Sequence, residues 1–296
     1  YQANTMTLNA KNKHFFIDDK SIWKGKHLFN LYKKAETPFK WHKSIFQFAK
    51  KNKILCFSAP FDESAVDLLE KCNCPIYKIA SPEIEDLRLI KKIAKINKPM
   101  IISTGIADES NLKDVLAICK RYKNNKLIFL NCISSYPAKN NELNINYINV
   151  LKKYSPIVGY SDHSNSDLAS IASVSLGAKV IEKHFTLNKN YSTFRDHKIS
   201  SDPKEMKNLV RTIRKIEIIK GNKIKKLMSE EKSNLKILRR SFYALKKLNK
   251  GEKLNISKIS ALRPKVRNSI NLENIDNFIN KKVKKNYKKN DVLLTK

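Results

Sequence analysis

Six short apolar runs, residues 54–59, 76–80, 100–103, 127–131, 157–160 and 179–183, recur at intervals of roughly 22 to 30 residues, the length of one buried strand plus one helix. That period leaves few folds open. Strands separated by helices in this way lie parallel, joined by right-handed crossovers. The intervening segments carry helical stripes, Ala65, Leu68, Leu69 and Cys72 in one and Leu112, Val115, Leu116 and Cys119 in another. Polar or reactive residues follow almost every run, as on the rim of a barrel, rather than gathering at one crevice. The sequence therefore predicts an α/β fold: a TIM (β/α)8 barrel lacking about two N-terminal units, since six runs are present and no initiating Met precedes Tyr1.

Residues 1–225 are read as this barrel domain. Its last helix is well marked: Asp202 as N-cap, Pro203 at the first position, Glu205 completing a capping box, then Met206, Leu209, Val210, Ile213 and Ile216 as the apolar stripe. Residues 226–238 are rich in Lys and Glu and read as a linker. From 239 to 296, short strand signals at 241–245, 259–262 and 292–295 replace the barrel period, with a turn at Lys250-Gly251-Glu252. These 58 residues are few for a core that must stand alone.

The balance of 60 Lys+Arg against 27 Asp+Glu, a formal +33, raises nucleic-acid binding as a rival function. The lysines are spread over the whole chain with no helix-turn-helix, zinc-finger or RNA-binding signature, which favours solvated basic faces and no nucleic-acid partner. No apolar run reaches the roughly 18 residues of a membrane span, and no signal pattern opens the chain. Five scattered cysteines, Cys56, Cys72, Cys74, Cys119 and Cys132, fit reduced thiols in a cytoplasmic protein better than a disulfide framework. Cys72-Asn73-Cys74 has no second pair with which to complete a metal site.

The richest stretch runs from Pro156 to Lys198. Two strands in it each end in an acid and a histidine, Asp162–His163 and Glu182–Lys183–His184. Parallel strands place both histidines on one rim, where two neutral imidazoles can share a divalent ion. The alternative is a pair of buried histidines bonded to backbone. Asp162 and Glu182 are candidate outer partners of that pair, and Glu182 is alternatively a partner for a barrel lysine. His14, His27 and His42 lack such a setting and are expected at the surface. Lys78, Ser81, Ser103 and Ser161 fall at strand ends, and with the amides around Thr104-Gly105 they could hold a phosphate. Lys78, inside an apolar run, needs a partner. Glu83, Tyr136 and Asp196 are candidate contacts to a polyhydroxylated substrate.

Assembled in order, S-A-P-F-D (58–62), Y-K-I-A-S (77–81), I-S-T-G-I-A (102–107), S-S-Y-P-A (134–138), G-Y-S-D-H (159–163), G-A-K-V-I-E-K-H-F-T-L (177–187) and D-H-K (196–198) resemble the sialic acid synthase family. R-R-S-F-Y-A (239–244), K-G-E (250–252) and L-R-P (262–264) are similar to the antifreeze-like (SAF) domain that closes such enzymes. Within the family, T-M-T-L-N (5–9), the stretch 22–32 and T-P-F-K-W-H (37–42) resemble pseudaminic acid synthases, whereas D-H-K is more typical of the neuraminate and legionaminate enzymes. The resemblance implies a transferase that condenses phosphoenolpyruvate with a 2,4-diacetamido-2,4,6-trideoxy hexose, or with the sugar of an N-acetylneuraminate or legionaminate synthase. It implies His163 and His184 as ligands of Mn²⁺ or Mg²⁺ and as catalytic residues with Lys78. It places Lys78, Ser81, Ser103 and Ser161 around phosphoenolpyruvate, and Glu83, Tyr136, Asp196 and Arg263 at the sugar. It also implies a domain-swapped homodimer, with Arg263 reaching the other subunit's site. A catalytic glutamate and a barrel lysine would precede Tyr1, so an inactive barrel that binds phosphoenolpyruvate is the other rival. Ser134 stands where some members have Asn, Phe194-Arg195 replaces a Gly-Pro, and residues 265–269 replace a Gly-rich turn.

Overall fold

Five parallel strands in sequential order form the frame of the first of two compact units, Tyr1–Gly221. The computed structural model describes residues 1–18, 23–192 and 194–295; Ile22, which opens the 22–32 stretch, lies outside them. The chain enters through α1 (Ala3–Met6), α2 (Leu28–Ala35) and α3 (Phe39–Lys51). It continues as α4 (Glu63–Lys71), β1 (Tyr77–Ile79), α5 (Leu87–Ile96), β2 (Met100–Ser103), α6 (Glu109–Arg121), β3 (Leu127–Cys132), α7 (Tyr147–Leu151), β4 (Ile157–Asp162), α8 (Leu168–Ser175), β5 (Val180–Lys183), α9 (Arg195–Ile199) and α10 (Pro203–Lys220).

Aspartates start α4, α5, α6 and α10. Asp62, Asp86, Asp108 and Asp202 each accept hydrogen bonds from the first-turn amides, and Asp202 and Glu205 form the expected capping box around Pro203. β1 and β2 are buried along their whole length and β3 and β4 along most of theirs, while β5 is half-buried. Tyr77, Ile79, Met100, Ile102, Phe129 and Tyr160 share one hydrophobic cluster with Leu69, Ile93, Val115 and Leu151 of the helices. The alternate positions, among them Lys78, Ser103, Cys132, Ser161 and Glu182, take the opposite face.

The sheet is strongly curled. β1 and β5 are its opposite edges, about 19 Å apart if the ribbon were flat, yet Lys78 Nζ of β1 lies 3.6 Å from Glu182 Oε1 of β5. The frame is thus a parallel half-barrel of five strands among the described residues, not a closed ring of eight. The run at 54–59, expected as a sixth strand, contributes only a single bridge, Ser58 to Tyr77. Ile54 and Leu55 are each 64 % exposed and Phe57 is only half-buried against the core, so little burial reinforces the pairing of that run with β1. On α3, Trp41 and Phe48 are 52 % and 69 % exposed, whereas Phe46 packs on the core.

Gly159 sets how closely β4 and β5 approach. A Cβ there would sit 2.3 Å from the Val180 carbonyl oxygen and 2.5 Å from Leu130 Cδ2. Both are groups the packed sheet cannot move cheaply. Gly159→Ala is expected to destabilise the protein by about 1–3 kcal/mol. A denaturant titration with an unchanged midpoint would contradict this packing.

The second unit, Asn222–Lys296, contains α11 (Ser229–Leu238) and an antiparallel pair, β6 (Ser241–Ala244) with β7 (Ile259–Leu262). Most of residues 226–238, read as linker, is therefore helical, and the first unit ends at Gly221. The strand signal at 292–295 becomes two bridges, Tyr243–Val292 and Ser269–Leu294. Phe242, Leu248, Leu254, Ile270, Tyr287 and Leu293 make a small separate core. Among the described residues no helix is long and apolar enough to cross a membrane.

Candidate active site

On its concave face the half-barrel gathers side chains from four strands into one polar chain. Lys78 is 9 % exposed although its neighbours Tyr77 and Ile79 are fully buried. Its ammonium donates to Ser103 Oγ at 2.7 Å and to the Ile79 carbonyl at 3.1 Å, and it pairs with Glu182. Ser161 Oγ donates to the same carboxylate oxygen at 2.6 Å. Glu182 is thus the barrel lysine's partner, the second of the two roles its position allowed.

Next to this chain is a narrow cradle. The Gly105 amide donates to Ser81 Oγ at 3.0 Å. A Cβ on Gly105 would fall 2.4 Å from Ser134 Oγ, 3.0 Å from Cys132 Sγ and 3.0 Å from Ser81 Oγ. Only glycine lets these three groups converge. All four residues expected around phosphoenolpyruvate, Lys78, Ser81, Ser103 and Ser161, are buried here, beside buried Cys132, to which the sequence gave no role at this site, and half-buried Ser134.

The histidines stand beside the cradle, with ring centroids 5.4 Å apart. Tyr136 lies over His163 at 4.2 Å and edge-on to His184 at 5.6 Å. His163 Nδ1 is 2.8 Å from the Ile133 carbonyl, an acceptor, so Nδ1 carries the proton and Nε2 keeps its lone pair. Burial would depress the His163 pKa, but the Cys132 thiol, the Ile133 carbonyl and the Glu182 charge outweigh it and raise it. Burial likewise opposes ionisation of Cys132, yet His163 and the Ser81 and Ser134 hydroxyls hold it below the ordinary thiol range. His184 is pushed the other way by burial, against the pull of Asp196, whose Oδ1 lies 3.5 Å from Nδ1. Asp162, expected behind the histidines as an outer partner, instead binds Lys183 at 3.1 Å. Among the described residues no group of three or more His, Cys, Asp and Glu is arranged around one point to hold a metal.

Glu83, on the turn Ser81–Glu85, has a buried Oε2 with no hydrogen-bond partner. Burial pushes its pKa up to about 7, against the attraction of Lys78. The Tyr32 hydroxyl is raised by burial and by Glu83, and that of Tyr1 by burial, Tyr32 and Asp196. The N-terminal segment thus supplies aromatic groups beside both acids; aromatic content alone did not distinguish them from packing residues. His27, expected at the surface, is half-buried against Phe16 at 4.8 Å. Arg263 lies in the second unit, where Nε donates to the Leu238 carbonyl at 2.7 Å.

Residues 1–225 match the model of the NeuB family. A pseudaminic acid synthase of Helicobacter pylori is 38 % identical over 265 residues, 89 % of this chain and 77 % of that protein. An N,N'-diacetyllegionaminic acid synthase of Campylobacter jejuni is 41 % identical over 266 residues, 89 % of this chain and 79 % of that protein. Among solved structures, an N-acetylneuraminic acid (sialic acid) synthetase of Leptospira borgpetersenii in complex with citrate superposes with a TM-score of 0.66 at 33 % identity, covering 70 % of this chain and 72 % of that one.

Proposed function

We infer, since the chain belongs to the NeuB family, that it catalyses the pseudaminic acid synthase reaction, joining phosphoenolpyruvate to a 2,4-diacetamido-2,4,6-trideoxy hexose with release of phosphate. The observation that carries this reading is the convergence of Lys78, three serine hydroxyls and two histidines on one concave face. Lys78 and the hydroxyls of Ser81, Ser103 and Ser161 hold the anionic groups of phosphoenolpyruvate. C3 of phosphoenolpyruvate attacks the open-chain sugar aldehyde, so a carbon–carbon bond forms and the aldehyde oxygen takes up a proton. Water adds at C2, and the C2–O bond to phosphate breaks to leave a nine-carbon 2-keto acid. Fixed charges and dipoles at these positions account for most of the rate enhancement. Tyr136 walls the sugar, and Asp196 and Glu83 receive its hydroxyls. With a pKa of about 7, Glu83 can donate as well as accept near neutrality.

The histidine pair fits a divalent ion, Mn²⁺ or Mg²⁺. The two rings stand 5.4 Å apart on the same face, so His163 and His184 would hold one ion between them. Each Nδ1 faces an outer acceptor, Ile133 O or Asp196, as ligating histidines do. Bound there, the ion would polarise the aldehyde oxygen. Exhaustive chelation is expected to abolish turnover and Mn²⁺ or Mg²⁺ to restore it; full turnover in metal-free protein would contradict the assignment.

The second unit is proposed as an antifreeze-like domain that, in a domain-swapped homodimer, brings Arg263 of the partner subunit to the sugar. Its small core and the need to exclude water from the site support this. A monomeric mass in solution would count against it. The 41 % identity to the legionaminic acid synthase and the D-H-K at 196–198 favour a second reading, legionaminate synthesis. Relative rates with the two sugars separate the readings.

A further inference from the structure

The last rung of the β4–β5 ladder pairs Asp162 with Lys183, the residues immediately before His163 and His184. Beyond that rung the two histidines are tied in opposite directions. His163 is fastened toward β3, by Ala138 N to its carbonyl at 3.0 Å and by its ring to the Ile133 carbonyl. His184 is fastened away from β4, its carbonyl accepting from Ser201 N at 2.8 Å. Side chains alternate along a strand, so Asp162 and Lys183 face the helix layer behind the histidines.

There they form a closed ion pair, with side chains 0 % and 4 % exposed. Lys183 Nζ donates to Asp162 Oδ2 at 3.1 Å and to the carbonyls of Ser164 at 3.2 Å and Ser166 at 3.1 Å. Asp162 also accepts from Ser164 N at 2.9 Å and from Ser170 Oγ of α8 at 2.6 Å. The lysine of β5 is therefore wrapped by the loop that carries His163. Neither side chain bonds to a histidine, so any effect on the pair passes through the backbone.

We propose that Asp162 and Lys183 are positioning residues whose buried ion pair fixes the separation of His163 and His184 and so sets the affinity of that pair for a divalent cation. This rests on the metal reading above. Removing one partner would strand a buried charge, whereas removing both leaves only Asp167, 3.8 Å from Lys183 Nζ, without its cation, and its side chain is 30 % exposed and open to water. The variant of choice is therefore the double substitution Asp162→Asn with Lys183→Met, in the complete chain beside wild type and His184→Ala.

Mn²⁺ binding is followed by the electron paramagnetic resonance signal of the free ion, with the thermal midpoint measured on the same samples. The double variant is expected to remain folded and to bind Mn²⁺ about 10–100-fold more weakly, the usual loss when an outer support of a metal ligand is removed. Its KM for phosphoenolpyruvate should change by less than about twofold, because the cradle is untouched. A merely structural pair would lower the thermal midpoint and leave the affinity of the folded protein intact; that result overturns the proposal. Ser170→Ala removes a single bond to Asp162 and guards against a double variant that does not fold. It should weaken Mn²⁺ binding severalfold, and unchanged affinity in it also overturns the proposal. If wild type and His184→Ala bind Mn²⁺ equally, the metal reading itself fails, and this proposal with it.

Discussion

Lys78→Met is expected to lower kcat/KM by about 10³-fold or more, because on the proposed assignment it removes the buried ammonium that holds the substrate's anionic groups. The fold should survive. Met has a similar volume, and Glu182, which loses its partner, has a side chain 38 % exposed and a hydrogen bond from Ser161. The abandoned carboxylate can therefore be hydrated rather than stranded. Steady-state kinetics with phosphoenolpyruvate varied, alongside a thermal melt, check the prediction. A loss below about tenfold would show that Lys78 holds the sheet together and does not serve the substrate.

Gly105→Ala is the second large effect. The new methyl group would overlap Ser134 Oγ at 2.4 Å and press on Cys132 Sγ and Ser81 Oγ at 3.0 Å. These side chains are short and anchored, so the cradle must open by a substantial fraction of an ångström. Misplacement on the scale of 1 Å costs about 10²-fold, and the loss is expected mainly as a raised KM for phosphoenolpyruvate. Adding Ser134→Gly removes the closest overlap and should recover most of the loss. A single variant with wild-type kinetics would mean that nothing binds in the cradle.

The contrast between the two halves of the site shows what the residue pattern could carry. Lys78 was legible because a lysine within an apolar run demands a partner, and the parallel register fixed which faces Ser103 and Ser161 share. His163 and His184 were legible because strand period alone puts both on one rim. The curl was legible only through the polar residues that follow almost every run, which pointed to a barrel. Pairing distances along a sheet say nothing of its curvature, so a barrel lysine was an open alternative for Glu182 but nothing selected Lys78 of β1 as that lysine. Asp162 was misassigned for a related reason. Its nearness in sequence to His163 suggested a hydrogen bond to the ring, but alternation along β4 sends it to the opposite face, where Lys183 waits. The run at 54–59 was apolar enough to be a strand, yet pairing needs a neighbour and burial on both sides, and composition reports neither. Tyr32 and Tyr1 reach the acids through tertiary packing of the N-terminal segment, which no local pattern encodes.

The central claim, that this concave face joins C3 of phosphoenolpyruvate to a sugar aldehyde, is tested most directly by following [3-¹³C]phosphoenolpyruvate by NMR. The complete protein is supplied with Mn²⁺ and 2,4-diacetamido-2,4,6-trideoxy hexose, and released phosphate is counted in parallel. The labelled vinyl carbon should become the C3 methylene of a nine-carbon 2-keto acid, correlated to the proton on the former aldehyde carbon, with one phosphate freed per product molecule. Phosphate release that leaves the label in pyruvate, or an unreacted vinyl carbon with this sugar and with the legionaminate precursor alike, would contradict it.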